Sequence, residues 1–133
     1  MSDDIVLDSY AILALLGKEP EGKIVHKLLV EAEKAKKPLF LSSVNLAEVY
    51  YRAIRKYGLD KAKLTLSTIR KMPITIIPAT DERVLAAAEI KADFSISLGD
   101  CFAVALAMEK KAAILTADRE FKKVEKLVKI RWL

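Results

Sequence analysis

The sequence predicts a single α/β domain, residues 1–133, with a mostly parallel central sheet of four to five strands and helices on both faces. Short apolar runs, typical of buried strands, alternate along the chain with longer segments of helical periodicity. No linker, low-complexity stretch or internal repeat divides the 133 residues. A chain of this length is typical of one domain.

Five short apolar runs predict the strands. They are rich in Ile, Leu and Val, as expected for strands that are buried on both faces of a parallel sheet. In chain order, the predicted strands are residues 5–7, 39–41, 74–77, 113–115 and 128–130. Ligands of such sheets bind beyond the carboxyl ends of the strands. Residues that directly follow these runs are therefore the first candidates for a functional site.

The intervals between the strands predict helices. Serine or threonine precedes several of them as a candidate N-cap, Ser9 for the first, and glycine or proline often follows as a stop signal. Residues 97–100 (Ser-Leu-Gly-Asp) form a capping box, which is a strong start signal. In chain order, the predicted helices are residues 10–16, 21–36, 43–56, 60–72, 80–91, 97–110 and 121–126.

The composition excludes several kinds of site. The only histidine, His26, rules out a two-histidine mechanism, and the only cysteine, Cys101, rules out an intrachain disulfide and a cysteine-based zinc cluster. Neither GxGxxG nor GxxxxGK[ST] occurs, so both common phosphate-binding loops are missing. The net charge of +5 favours an anionic partner such as nucleic acid, although ordinary solubility explains it as well.

The sequence also bears on location. The longest apolar runs are far shorter than the ~20 residues that a membrane-spanning helix needs. Residues 1–4 are acidic where a signal peptide would begin with basic residues. We therefore expect a cytoplasmic protein without membrane association.

Two acidic residues follow predicted strands. Asp8 comes directly after the first strand, and Asp118 lies three residues beyond the fourth. Both are thus expected at the edge of the sheet where parallel α/β folds place their sites. Each also has an ordinary interpretation, since Asp8 could cap the following helix and Asp118 could be a turn or capping residue.

Two further acidic residues lie on predicted helices. Asp100 stands in the first turn of a helix that is otherwise apolar almost all round, which indicates a buried helix with one inward charge or a simple cap. Glu48 shares a polar stripe with Asn45, Arg52 and Arg55. An ordinary ion pair with Arg52 is the alternative for Glu48.

Taken together, four segments resemble the motifs of the PIN-domain family, and within it the VapC-like toxins of VapBC-type toxin–antitoxin pairs. They occur in the family's order and span nearly the whole chain. These segments are residues 6–9, 45–49, 97–107 and 115–121. The family's acidic quartet falls on Asp8, Glu48, Asp100 and Asp118. One departure is Tyr10, where many members carry a small or polar residue, which bears on access of the substrate.

The resemblance implies a divalent-metal-dependent endoribonuclease, with RNA as substrate, a cognate antitoxin protein as partner, and a homodimer. Asp8 and Asp100 are expected to be the principal metal ligands, with Asp118 completing the site. Glu48 would be a further ligand or would orient the attacking water. Carboxylates at ~4 Å repel by roughly 4 kcal/mol per pair at an effective dielectric of 20, so either protons or a cation must compensate the charge. Oxygen ligands without His or Cys suit Mg²⁺ or Mn²⁺.

Several residues around the acids receive supporting roles. Ser9 and Thr116 are expected to donate hydrogen bonds that fix the carboxylates. Arg52, Arg55 and Arg119 are candidates for contacts with RNA phosphates, although solvated surface charge would explain them equally well. Three tyrosines at the predicted helix 43–56 and its end could stack on bases or pack in the core or in a dimer interface, namely Tyr50, Tyr51 and Tyr57.

Two alternatives remain open. A non-catalytic or RNA-processing PIN module would act as an RNA-binding or assembly protein and would have no need of the metal. The second alternative is a phosphoryl-transfer enzyme or a receiver-type acidic pocket. It fits less well, because residues 8–10 (Asp-Ser-Tyr) lack the DxD pair of phosphohydrolases.

Overall fold

In the computed structural model of the protein, residues 3–133 are described, and their strands form one sheet of order β3-β2-β1-β4-β5. All four neighbouring pairs are parallel, which confirms the predicted parallel sheet. The strands are β1 (Ile5–Leu7), β2 (Leu39–Ser42), β3 (Ile74–Ile77), β4 (Ala113–Thr116) and β5 (Ile130–Trp132). Met1 and Ser2, part of the acidic start noted above, lie outside the described residues.

The helices follow the predicted order. They are α1 (Ser9–Leu16), α2 (Gly22–Ala35), α3 (Ser43–Tyr57), α4 (Leu59–Arg70), α5 (Asp81–Asp93), α6 (Leu98–Lys110) and a 3₁₀ helix (Arg119–Val124). Three expectations were wrong in detail. The last helix is of the 3₁₀ type and begins at Arg119, two residues before the predicted start. Strand β5 covers Ile130–Trp132, two residues after the predicted 128–130. Ser9 does not cap α1, because the carboxylate of Asp8 accepts the capping hydrogen bond from Ala11 N–H at 2.8 Å.

Helices cover both faces of the sheet, as predicted. Side chains alternate along a strand, and Val6 accordingly lies in the core that contains residues of α5 and α6. Its neighbour Leu7 lies in the other core, with residues of α1 and α2. Residues 101–107 of α6 are all buried, so the helix is buried on nearly all sides, which explains its nearly uniform apolar sequence. Within residues 3–133, no helix combines the length and apolar character needed to cross a membrane.

The strand order places a switch point beside β1. The chain passes from β1 to β2 and β3 on one side, then crosses over to β4 and β5 on the other. In open parallel sheets, such a reversal leaves a crevice at the carboxyl ends of the two strands between which it occurs. The pairing of Leu7 with Leu115 brings the residues that follow β1 next to Thr116 at the end of β4.

Candidate active site

A cleft of about 490 Å³ opens at the switch point between β1 and β4. The structure brings all four members of the acidic quartet into the wall of this cleft, although they are as far apart in the chain as residues 8 and 118. The quartet consists of Asp8, Glu48, Asp100 and Asp118. Ser9 and Tyr10 also line the cleft, at the beginning of α1.

Asp8 is the most rigidly held of the four acids. Its side chain is almost fully buried, with an exposed fraction of 2%. One carboxylate oxygen accepts the Ala11 N–H, and the other accepts the Thr116 hydroxyl at 2.6 Å. The Thr116 oxygen in turn accepts the Asp118 N–H at 2.9 Å. One hydroxyl thus connects the acid that follows β1 to the acid that follows β4.

Burial also changes the acidity of Asp8. Loss of hydration raises its pKa to about 7, because the charged carboxylate is disfavoured away from water. The hydrogen bonds from Thr116 and Ala11 oppose this rise, and the negative charges of Asp100 and Asp118 add to it. Near neutral pH, Asp8 therefore needs either a proton or a cation.

Asp100 lies in the first turn of α6, where its N–H donates to the Ser97 hydroxyl oxygen at 3.2 Å. Burial raises its pKa to about 6, the interaction with Ser97 lowers it, and the charges of Asp118, Glu48 and Glu120 raise it further. Its side chain is only partly buried. Ser97 is therefore the N-cap of α6, as predicted, but capping does not account for the Asp100 side chain, which lines the cleft.

Glu48 is positioned by a contact between α3 and α6. Asn45 is fully buried, and its side-chain amide donates to Glu48 Oε1 at 2.8 Å and to the Gly99 carbonyl at 3.1 Å. A Cβ atom at Gly99 would lie only 2.7 Å from the carboxyl carbon of Glu48, so the glycine leaves room for this carboxylate. No role in the site was predicted for Asn45 or Gly99. The available signals were the i, i+3 spacing of Asn45 from Glu48 and the position of Gly99 directly before Asp100.

Asp118 caps the 3₁₀ helix by accepting the Glu120 N–H at 3.0 Å, and it lines the cleft as well. Glu120 itself is a fifth acidic residue of the cleft, and Lys123 lines it too. The Lys123 ammonium pairs with the Glu120 carboxylate and donates to the Ser95 carbonyl at 3.0 Å. Glu120 and Lys123 were missed from the sequence, where the only available signal was the dense run of charges after Asp118.

The three candidate arginines are placed differently. Arg52 is exposed and lines the cleft. Arg55 lies instead over the ring of Tyr51, 4.9 Å from its centroid, and Arg119 lies 5.7 Å from the centroid of the Trp132 ring. Neither Arg55 nor Arg119 lines the cleft. A contact of these two with RNA stays a prediction, and the structure does not place them at the rim where they were expected.

The donor set of the cleft fits a hard divalent cation in its chemistry. Its acids offer only carboxylate oxygens, and within residues 3–133 no Lys or Arg forms an ion pair with any member of the quartet. In the same residues, no three side chains of His, Cys, Asp or Glu are grouped closely enough to hold a metal ion as they stand. A cation would therefore have to draw the carboxylates together.

The fold and the cleft define a class of protein, namely a parallel α/β domain with an acidic cleft at the switch point of its sheet. The PIN domain family matches residues 5–127, and the chain belongs to this family. No curated protein is significantly similar to it in sequence.

Solved structures of toxin–antitoxin proteins share this fold. VapBC2 from Rickettsia felis, bound to a DNA fragment from its promoter, has a TM-score of 0.77 at 16% identity, covering 96% of this chain and 97% of that chain. DNA-bound VapBC from Salmonella typhimurium has a TM-score of 0.75 at 14% identity, covering 98% of this chain and 98% of that chain. VapC20 from Mycobacterium tuberculosis, a Sarcin-Ricin loop cleaving toxin, has a TM-score of 0.60 at 17% identity, covering 84% of this chain and 87% of that chain.

Proposed function

We propose that the protein is a divalent-metal-dependent endoribonuclease that hydrolyses RNA phosphodiester bonds. The observation that carries this proposal is the cleft itself, into which four carboxylates from separate elements point without a paired cation in residues 3–133. Burial and mutual repulsion raise the pKa of Asp8 and of Asp100. Asp8 and Asp118 also cap helices, but a cluster of four acids costs stability unless a cation or protons compensate the charge.

The residues divide into ligands and groups that hold them. Asp8 and Asp100 are proposed as principal ligands of Mg²⁺ or Mn²⁺, and Asp118 as the residue that completes the set. When bound, the cation would offset the negative charge of the carboxylates and polarise the scissile phosphodiester. Thr116 fixes the carboxylate of Asp8, and Ser9 is proposed to assist in the same way.

Glu48 is proposed either as a further ligand or as the group that orients the attacking water. Its carboxylate is held from one side by the amide of Asn45 and packs closely against Gly99, where a side chain would collide with it. A carboxylate that is aligned before the substrate arrives needs no reorganisation during the reaction. Arg52, at the edge of the cleft, is placed to contact a phosphate of the RNA.

A toxin role in a toxin–antitoxin pair is proposed from the structural similarity. The similar proteins of Rickettsia felis and Salmonella typhimurium are VapBC complexes, and the one from Mycobacterium tuberculosis cleaves the Sarcin-Ricin loop. A cognate antitoxin protein is accordingly the proposed partner. A homodimer is proposed as well, and the exposed Leu59 and Leu64 of α4 are apolar groups that such an interface would cover.

The test is cleavage of defined structured RNAs in Mg²⁺, in Mn²⁺ and in excess EDTA. Wild type is expected to cleave only with metal, and Asp100→Asn is expected to lose at least ~100-fold in rate, because a principal ligand is gone. Asp81→Asn is the matched control, since Asp81 is an exposed acid in the first turn of α5 and does not line the cleft. Cleavage in EDTA, or full activity of Asp100→Asn, would refute the proposal. RNA binding without any cleavage would favour a non-catalytic PIN module.

A further inference from the structure

A fully buried amide connects the two helices that carry Glu48 and Asp100. The side chain of Asn45, on α3, has an exposed fraction of 0%. Its Nδ2 group donates one hydrogen bond to Glu48 Oε1 at 2.8 Å and another to the Gly99 carbonyl at 3.1 Å. Gly99 directly precedes Asp100 in the first turn of α6. One amide therefore holds a carboxylate of α3 against the turn of α6 that presents the next carboxylate.

The chemistry of the two partners determines which end of the amide faces them. A backbone carbonyl can only accept hydrogen bonds, and so can an ionised carboxylate. The NH₂ group of Asn45 therefore has to lie between Gly99 and Glu48, and both of its hydrogens are used there. The Asn45 Oδ1 atom is buried as well, and no donor within residues 3–133 reaches it. The orientation of this amide is thus set by its two acceptors alone.

An asparagine at this position costs stability. An amide that leaves water has to replace its hydration by hydrogen bonds, and the Oδ1 atom of Asn45 has no such replacement among residues 3–133. The same row of α3 continues with Val49 and Ala53, which are buried and apolar. Without the amide, the Gly99 carbonyl would keep its place in a helical turn, and Glu48 is only partly buried. Packing alone therefore does not explain why α3 has an asparagine here.

The amide orders the two acids without compensating their charge. A lysine or arginine in its place would form an ion pair, whereas the NH₂ group of asparagine is neutral. Among residues 3–133, no Lys or Arg forms an ion pair with Glu48 or Asp100. The charge of Glu48 also contributes to the raised pKa of Asp100. The two carboxylates are thus held in place while their negative charge stays available to a cation.

We propose that Asn45 is a positioning residue of the metal site, which makes Glu48 and Asp100 a preformed pair of ligands for one divalent cation. The inference rests on the proposed nuclease function and assigns to Glu48 the first of its two proposed roles, that of a ligand. Asn45 is fully buried and does not line the cleft, so it acts through Glu48 and not by touching RNA. Loss of a group that holds a metal ligand commonly costs about 10- to 100-fold in metal affinity or activity.

Calorimetric titration of Asn45→Ala with Mn²⁺ tests the inference. The affinity for Mn²⁺ is expected to fall about 10-fold or more, and the Mn²⁺ concentration for half-maximal RNA cleavage should rise by the same factor. The KM for RNA in saturating Mn²⁺ should stay within about twofold of wild type, because no contact with RNA is removed. The urea midpoint should shift by less than about 0.5 M, since alanine favours the helix and leaves few polar groups unsatisfied.

Two further variants separate positioning from packing. Val49→Ala removes another fully buried side chain of α3, one turn after Asn45. It is expected to lower the urea midpoint, while its affinity for Mn²⁺ stays within about twofold of wild type. Glu48→Ala removes the ligand that Asn45 holds, so the addition of Asn45→Ala to this variant should weaken Mn²⁺ binding no further.

The outcomes separate this inference from the nuclease proposal. Wild-type Mn²⁺ affinity in Asn45→Ala would overturn the inference, and so would an equal weakening with and without Glu48. A loss of Mn²⁺ affinity in Val49→Ala as large as that in Asn45→Ala would show a packing effect and would overturn it as well. None of these results affects metal-dependent cleavage by wild type. Conversely, Mn²⁺ binding that depends on Asn45 in a protein that cleaves no RNA would sustain the metal site and refute the nuclease, and a wild type that binds no Mn²⁺ would overturn both.

Discussion

The acidic cleft and a second groove, which lies between α1, α3 and α4, share Tyr10 and Arg52 in their walls. We call the second one the basic groove, because it is also lined by Lys56 and Lys61, and its side chains are held differently from those of the cleft. In the cleft, Asp8 is 2% exposed, and both of its carboxylate oxygens accept hydrogen bonds. In the basic groove, Tyr57 and Lys61 stand in solvent at the surface of α3 and α4. The carboxylate of Asp8 is thus held in place and poorly hydrated, whereas the ammonium of Lys61 is hydrated.

This difference determines what substitutions should do. Removal of a buried charge that the fold retains at a cost in stability is expected to change both the free energy of unfolding and the rate of cleavage strongly. An exposed charge interacts weakly with any one partner, so several exposed charges each add a small amount to the binding free energy. Substitution of a buried carboxylate in the cleft is accordingly expected to abolish cleavage. Substitution of an exposed cation such as Arg52 is expected to reduce cleavage only partly.

The largest effect is expected for Asp8→Asn, which should act in opposite directions on activity and on stability. Cleavage should fall at least ~100-fold, because a principal ligand is lost. Folded Asp8 keeps its proton up to about pH 7, while the unfolded chain releases it near 3.8. The free energy of unfolding of wild type is therefore not reduced by Asp8 below pH 3.8. It falls as the pH rises to 7, because the unfolded chain releases the proton that folded Asp8 retains. Between pH 4 and pH 8 in EDTA, the free energy of unfolding of the variant should therefore rise relative to that of wild type by up to about 4 kcal/mol.

Urea unfolding of both proteins at several pH values between 4 and 8, in EDTA, measures this difference. Asp60→Asn provides the control, since Asp60 is an exposed acid on α4. The stability advantage of Asp8→Asn should grow with pH and that of Asp60→Asn should not. Parallel pH profiles for wild type and Asp8→Asn would contradict the assignment of a raised pKa to Asp8.

A smaller effect is expected for Gly99→Ala, which adds a methyl group against the carboxylate of Glu48. Cleavage should fall about 10-fold because Glu48 is displaced, whereas the free energy of unfolding should change by less than about 1 kcal/mol, since a side-chain end can move aside. The same substitution in a Glu48→Ala background should cost nothing further. An equal loss of activity in both backgrounds would show that Gly99 acts through another group.

The smallest effect is expected for Arg52→Ala, at the junction of the cleft and the basic groove. The KM for RNA should rise about 3- to 10-fold, and the dependence of log affinity on log salt should become shallower by about one. Arg55→Ala is the matched comparison, because Arg55 lies over the Tyr51 ring and lines neither depression. Equal effects of the two substitutions would remove the distinction between rim and remote arginines.

Much of the fold could be predicted because strands of a parallel sheet are buried on both faces and therefore read as short apolar runs. The prediction failed at β5, where residues 128–130 and Ile130–Trp132 alternate in the same way. The pairing with β4, which joins Ile114 to Ile130, selects the later register. A tertiary contact of this kind is not encoded in local periodicity.

The candidate site shows the same limit. Asp8 and Asp118 could be found from their positions after strands, because the architecture alone brings strand ends together. The contact of Asn45 with Gly99 could not be found, since it depends on how closely α3 packs against α6. The stripe that contains Asn45 and Glu48 looked uniformly polar, but Asn45 is fully buried and Glu48 is only partly buried.

The central claim is that the carboxylates of the cleft gather around a divalent cation, and calorimetric titration with Mn²⁺ tests it most directly. Wild type is expected to bind Mn²⁺ and to release protons as it does so near pH 6.5, because Asp8 and Asp100 are then partly protonated. Asp8→Asn and Asp100→Asn should lose this binding, and Asp81→Asn should retain it. Undiminished Mn²⁺ binding by both cleft variants would contradict the account.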